Sequence, residues 1–253
     1  MNNTTVLWSE LTAPELNTLA TQGACVLVPV GSTEQHGPHL VTGTDSILAS
    51  EVCKRAALAM HADGHPCVVA PPLWFGLADH HVDLGGTFTL SLATYSAVLA
   101  DICASIRGAG FSDIVLVNGH GGNMAALTAI ANDMAVRSGL LVYSTTYFIE
   151  AAAQINDLLE TQSGLQHAGE AETSMIWAIS PQMVRTDALV DGPNFDLQTV
   201  LQPRLRRFEP FAELTPNGVS GQAKKATAAK GDALLAASAT VLARNLMYRG
   251  HTA

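Results

Sequence analysis

The chain has 253 residues, 48% of them hydrophobic and 14% charged, which allows one α/β domain with a sizeable core and excludes a disordered chain. A formal charge of −9 without any Lys/Arg run removes the phosphate-neutralising energy on which nucleic-acid binding depends. No basic leader precedes an apolar stretch and no window nears the ~20 apolar residues that span a bilayer, so a soluble, cytoplasmic protein with neither membrane nor nucleic-acid partner is expected.

Residues 24–30 (ACVLVPV) form a short apolar run ended by Gly31, the pattern of a strand buried on both faces of a parallel sheet; 67–70, 114–117 and 140–143 are similar. Between them lie helical stripes: Leu48, Val52, Ala56 and Ala59, then Leu92, Tyr95, Leu99, Ile102 and Ile106, stopped by Gly108 and Gly110. Asn132, Asp133 and Arg137 mark the polar side of a helix after the third strand. This alternation predicts right-handed crossovers and a mostly parallel sheet in one domain over residues 1–253. Residues 191–221, rich in Pro, Asn and Gly, read as an irregular excursion, a lid or an oligomer contact, before a last helix at 232–248. Cys25, Cys53, Cys67 and Cys103 form no CxxC pair and read as packed thiols.

Ligands of open parallel sheets bind beyond the carboxyl ends of the strands, which directs attention to the loops after Val30 and Val117. The first reads GSTEQHGPH, with Asp45 following at the start of a helix, so Glu34, His36 and Asp45 converge on one strand end. Oxygen and imidazole donors suit Zn²⁺, Mn²⁺ or Fe²⁺, and a bridging carboxylate, here Asp45, lets two such ions sit about 3.5–4 Å apart. Alone, Asp45 reads better as a helix cap; the trio together does not.

The second loop is NGHGGN, which frees His120 to face a ligand; the phosphate-cradle alternative lacks the GxGxxG and GxxxxGKS/T spacings. A third element, HAGEAETS, places His167, Glu170 and Glu172 at the start of an apolar helix. The two glutamates could merely complement the helix dipole, but three such groups in an apolar stretch favour metal binding or catalysis. His80 and His81, before the Gly85-Gly86-Thr87 turn, are weaker candidates for lining the pocket.

In content, order and spacing, GSTEQHGPH, TDS, HH…GGTFTLS, VNGHGGN and HAGEAETS resemble the creatininase family over roughly residues 24 to 185. The resemblance implies a three-layer α/β/α fold, two divalent metal ions, cleavage of amide bonds in small cyclic or linear substrates, and a homo-oligomer, commonly a hexamer. One metal would be held by Glu34, Asp45 and His120, and the other by His36 and the bridging Asp45. Creatininase supplies a further glutamate two positions after the loop histidine; here that position is Gly122, and Glu170 is expected to take over as ligand. His167 is expected to protonate the leaving nitrogen, with Glu172 orienting it or the adjacent helix, while N–H groups at Gly121 and Gly122 receive the carbonyl oxygen.

Creatininase also carries tryptophans in the segment that corresponds to residues 147–166, where this chain has none, which argues against creatinine itself. The GHGGN form resembles formamide deformylases and mycofactocin-type peptidases of the family more than creatininase. A non-catalytic nucleotide- or metal-binding module is the alternative from a different class.

Overall fold

The computed structural model describes residues 5–195 and 207–249. Its centre is a four-stranded, all-parallel sheet of β1 (Cys25–Val30), β2 (Cys67–Val69), β3 (Asp113–Asn118) and β4 (Tyr143–Thr146), in the order β2-β1-β3-β4. Alternation along each strand feeds two cores. Cys25, Leu27, Val115 and Val117 face one side, and Val26, Val28, Ile114 and Leu116 the other, as a sheet covered on both faces requires.

The first side is covered by α2 (Thr44–Ala62), α7 (Glu170–Ile179) and the C-terminal helix Ala228–Met247. The other side carries α1 (Ala13–Thr21), α3 (Leu92–Gly108) and α4 (Met124–Ser138). Two short helices, α5 (Tyr147–Glu150) and α6 (Ala152–Leu158), follow β4. The result is the expected three-layer α/β/α sandwich. Among the described residues no helix is long and apolar enough to cross a membrane, and all four cysteines are free and buried.

Two boundaries differ from the sequence reading. The fourth strand is Tyr143–Thr146 rather than 140–143, because Leu140 packs into the α3/α4 core and the polar residues 143–146 pair with β3. The C-terminal helix starts at Ala228, where the Thr227 side chain caps it by accepting from Lys230 N–H. Of the excursion at 191–221, residues 196–206 lie outside the described residues. Its returning arm includes the single turn Phe211–Leu214 and buried Val219 and Ser220.

The strand order places the site. β2 lies on one side of β1 and β3 on the other, so the chain reverses direction between β1 and β3. At such a switch point the loops leaving the two carboxyl ends part and open a crevice. Those loops start at Gly31 and Gly119.

Candidate metal centre

Asp45 enters the crevice because the first turn of α2 rests on the end of β3. A Cβ at Gly119 would lie 2.7 Å from the Asp45 carbonyl oxygen, so only glycine allows that approach. The second loop is held by two asparagines. Asn118 Nδ2 donates to the His120 carbonyl at 2.7 Å and its Oδ1 accepts from His120 N–H at 3.1 Å. Asn123 Nδ2 donates to the Gly31 carbonyl at 3.0 Å and its Oδ1 accepts from Leu77 N–H at 3.0 Å, tying three loops together.

Glu34, His36, Asp45, His120 and Glu172 are all buried and meet in one cluster. Asp45 faces two ways: Oδ1 lies 3.1 Å from His36 Nε2, and Oδ2 lies 3.1 Å from His120 Nδ1. Glu34 Oε2 is 3.0 Å from the same His120 nitrogen, and Glu172 Oε2 is 3.6 Å from His36 Nε2. Two donor groups result, Glu34/Asp45/His120 and His36/Asp45/Glu172, with Asp45 in both; a third, Glu34/His36/His167, overlaps them.

The far nitrogen of each ring is committed to the backbone. His36 Nδ1 donates to the Glu34 carbonyl at 3.1 Å, and His120 Nε2 to the Leu77 carbonyl at 3.1 Å. A carbonyl only accepts, so each neutral ring carries its proton there and turns a bare nitrogen toward two carboxylates. Neither Glu34 oxygen, nor Asp45 Oδ2, nor His36 Nε2 has an aligned hydrogen bond among the described residues.

Charge in this buried cluster is correspondingly displaced. Burial raises Glu34, and pushes Glu172 up to about 8. Burial also opposes a charged His36 ring, but Asp45, then Glu172 and Glu34, outweigh it and set its pKa at about 10. His120 rises for the same reason, through Glu34 and Asp45. Asp45 is held far below the usual carboxylate range despite burial, by His36 and His120. Acceptors that draw protons this strongly fit a site built for cations.

Glu170 does not join the cluster, which corrects the expectation that it replaces the missing glutamate. Its buried carboxylate accepts from Glu160 N–H (3.1 Å), Thr161 N–H (3.2 Å) and the Thr161 hydroxyl (2.9 Å), and pairs with Lys230 of the C-terminal helix. Burial raises its pKa, but Lys230 and these donors bring it below the usual value. Glu172, expected to orient His167 or the adjacent helix, stands in the cluster instead. Gly122 could not carry a side chain: a Cβ there would lie 2.3 Å from the Leu77 carbonyl oxygen and 2.4 Å from His120 Nε2. Gly121 and Gly122 open a single turn directly after His120.

His167 Nε2 donates to the Gln35 carbonyl at 2.7 Å, leaving Nδ1 bare at 3.6 Å from Glu34 Oε1. Burial, then nearby His36, lowers its pKa, so the ring is neutral. His81 stacks on His167 with ring centroids 4.4 Å apart, and its Nε2 is 3.3 Å from Glu34 Oε1. His80 stacks on His120 at 5.5 Å.

Four contributing residues escaped the sequence reading. Gln35 Nε2 lies 3.0 Å from His81 Nδ1, and its place inside GSTEQHGPH was the available signal. Phe211 packs against His81 and His167, at 4.5 and 4.9 Å between ring centroids, from a stretch without periodicity that gave no signal. Asn118 and Asn123 flank the second loop, where paired asparagines are a readable mark of a side-chain-braced turn.

Comparison with known proteins identifies the family. The family model described as "Creatininase: Creatinine amidohydrolase" matches residues 9–246. A mycofactocin precursor peptide peptidase of Mycolicibacterium smegmatis is 37% identical over 83% of this chain and 79% of its own length. The creatinine amidohydrolase of Pseudomonas putida is 31% identical over 91% of this chain and 92% of its own. The solved structure "Creatininase Mn" superposes with a TM-score of 0.78 at 27% identity, covering 96% of this chain and 97% of that one. The chain therefore belongs to the creatininase family, a family of hydrolases whose members include enzymes acting on amide C–N bonds.

Proposed function

We propose that this protein is a binuclear-metal-dependent hydrolase of small amides, with one divalent cation held by Glu34, Asp45 and His120 and a second by His36, Asp45 and Glu172. The observation that carries the reading is the placement of two histidines. Each has its far nitrogen tied to a backbone carbonyl and its near nitrogen 3.0–3.6 Å from two carboxylates, an arrangement that requires a cation or a proton between them. The donor types suit Zn²⁺, Mn²⁺ or Fe²⁺. Bound there, such ions supply Lewis acidity, polarising the amide carbonyl and acidifying water.

The chain's own groups supply the rest. His167, neutral and tied through Nε2, accepts the proton of the attacking water on Nδ1 and returns it to the leaving nitrogen, which departs as an amine. N–H groups at Gly121 and Gly122 are the donors for the carbonyl oxygen. His81 and Phe211 pack against His167 and His80 against His120, walling the site. A linear amide is favoured over creatinine, because residues 147–166 contain no tryptophan and the 37% identical relative is a peptide peptidase.

The test is metal analysis of the purified chain followed by a panel of creatinine, a formamide and short peptides. Two cations per chain and chelator-sensitive cleavage restored by Mn²⁺ or Zn²⁺ are expected. A metal-free protein that binds nucleotides and cleaves none of the panel would overturn the reading.

A further inference from the structure

One histidine of the first loop takes no part in the cluster. His39 is fully buried, and its Nε2 donates to the Ala168 carbonyl at 3.0 Å, with Thr173 Oγ1 also at 3.0 Å. Its Nδ1 has no partner among the described residues. A bare buried ring nitrogen costs free energy that an aliphatic side chain of similar size would avoid. What the imidazole supplies in return is the Nε2 donor.

Its acceptor, Ala168, needs holding. Ala168 has a φ of 52°, the only left-handed value at a non-glycine residue among the described residues, and such a conformation persists only where the surroundings over-determine it. The Ala168 N–H donates to Glu172 Oε2 at 2.6 Å, and its carbonyl also accepts from the Thr173 hydroxyl at 3.1 Å. One strained residue therefore sits between two groups of the site. Its N–H anchors the Glu172 carboxylate beside His36, and the residue before it is His167. His39 and His36 lie three positions apart, so the contact ties the loop bearing Glu34 and His36 to the start of α7.

We propose that His39 is a positioning residue: through the Ala168 carbonyl it holds the left-handed turn that sets Glu172 against His36 and Asp45, with His167 beside them. The inference rests on the binuclear reading above, and the second cation is the one it affects. Among the described residues the His39 ring hydrogen-bonds Ala168 and Thr173 and none of the proposed cation donors.

The experiment titrates chelator-stripped, full-length protein with Mn²⁺, followed by calorimetry and by electron paramagnetic resonance, which distinguishes a spin-coupled ion pair from isolated ions. The unsubstituted chain should bind two ions and show coupling. Fewer than two would overturn the binuclear reading, and this inference with it. His39→Gln retains an N–H donor near the place of Nε2, His39→Asn sets its donor nearer Nδ1, and His39→Leu has none.

His39→Gln should bind the second ion nearly as the unsubstituted chain does. His39→Asn and His39→Leu should weaken it about tenfold or more, as losses of supporting hydrogen bonds around metal ligands do, with the first ion unaffected and the coupled signal lost. Equal second-ion affinity in the Gln and Asn variants, or a Leu variant binding both ions as the unsubstituted chain does, would overturn this inference and leave the binuclear reading standing. If the Leu variant does not fold, the Gln–Asn pair decides, since both retain a polar amide.

Discussion

Asp45 and His36 meet at 3.1 Å through Oδ1 and Nε2, while the other Asp45 oxygen meets His120 at the same distance. One carboxylate thus serves both donor groups, and removing its charge should disable both. Asp45→Asn is expected to lower bound cation from two per chain to well under one, read by elemental analysis. Turnover should fall by more than the about 10–100-fold typical of residues that only support a metal ligand. Retention of one tightly bound ion would show that Asp45 serves a single group.

The same cluster sets a pH dependence in the cation-free protein. Burial lifts Glu172 to about 8, and Asp45, overcoming burial, lifts His36 to about 10. Both folded values exceed the ordinary ones, so the folded state binds these protons more tightly than the unfolded chain. Their stabilisation is complete below the unfolded values and is lost as pH rises, for Glu172 up to about 8 and for His36 up to about 10. The melting temperature in chelator should therefore fall between about pH 6.5 and 8.5. In saturating Mn²⁺, where the ions replace those protons, it should stay nearly level. Parallel curves with and without the cation would contradict the assignment.

Glu170→Gln separates the two acidic residues of α7. The variant retains hydrogen-bonding capacity toward Glu160 and Thr161 but loses its charge partner Lys230. A destabilisation of about 1–3 kcal/mol, measured by denaturant unfolding, is expected with no change in cation stoichiometry. Glu172→Gln should do the reverse, removing the second ion while leaving the fold intact. A loss of metal in the Glu170 variant would restore that residue to the site.

Most of the centre was legible because its members are local. Glu34 and His36 share one loop, Asp45 opens the helix that follows it, and His120 stands at the next strand end, so a β/α pattern and a rule about strand ends suffice to bring them together. The two glutamates of HAGEAETS were not separable in this way. Residues two apart on a helix point about 200° away from each other, and no local feature says which faces the sheet ends. Lys230, 60 positions later, and the left-handed turn at Ala168 decide it. β4 was misplaced because its polar residues 143–146 look like a loop until β3 supplies their pairing.

Gly122 is where this chain departs from the creatininase pattern, and its surroundings determine what a reversion would do. The space a side chain would need is filled by the Leu77 carbonyl and His120 Nε2, with His80 Cε1 2.8 Å away. Leu77 is also the acceptor that fixes the His120 tautomer. Gly122→Glu should therefore not rebuild a second-ion ligand. It should push the 77–80 segment away, release His120 Nε2 and weaken the first ion. Overpacking of this kind costs about 1–3 kcal/mol, a drop measurable by thermal unfolding of the cation-free chain. Gly122→Ala, which adds only the clashing Cβ, should show most of the same loss of stability and of first-ion affinity. If Gly122→Glu instead bound two ions more tightly than the unsubstituted chain, Glu172 would be a substitute rather than the ligand to which this fold is fitted.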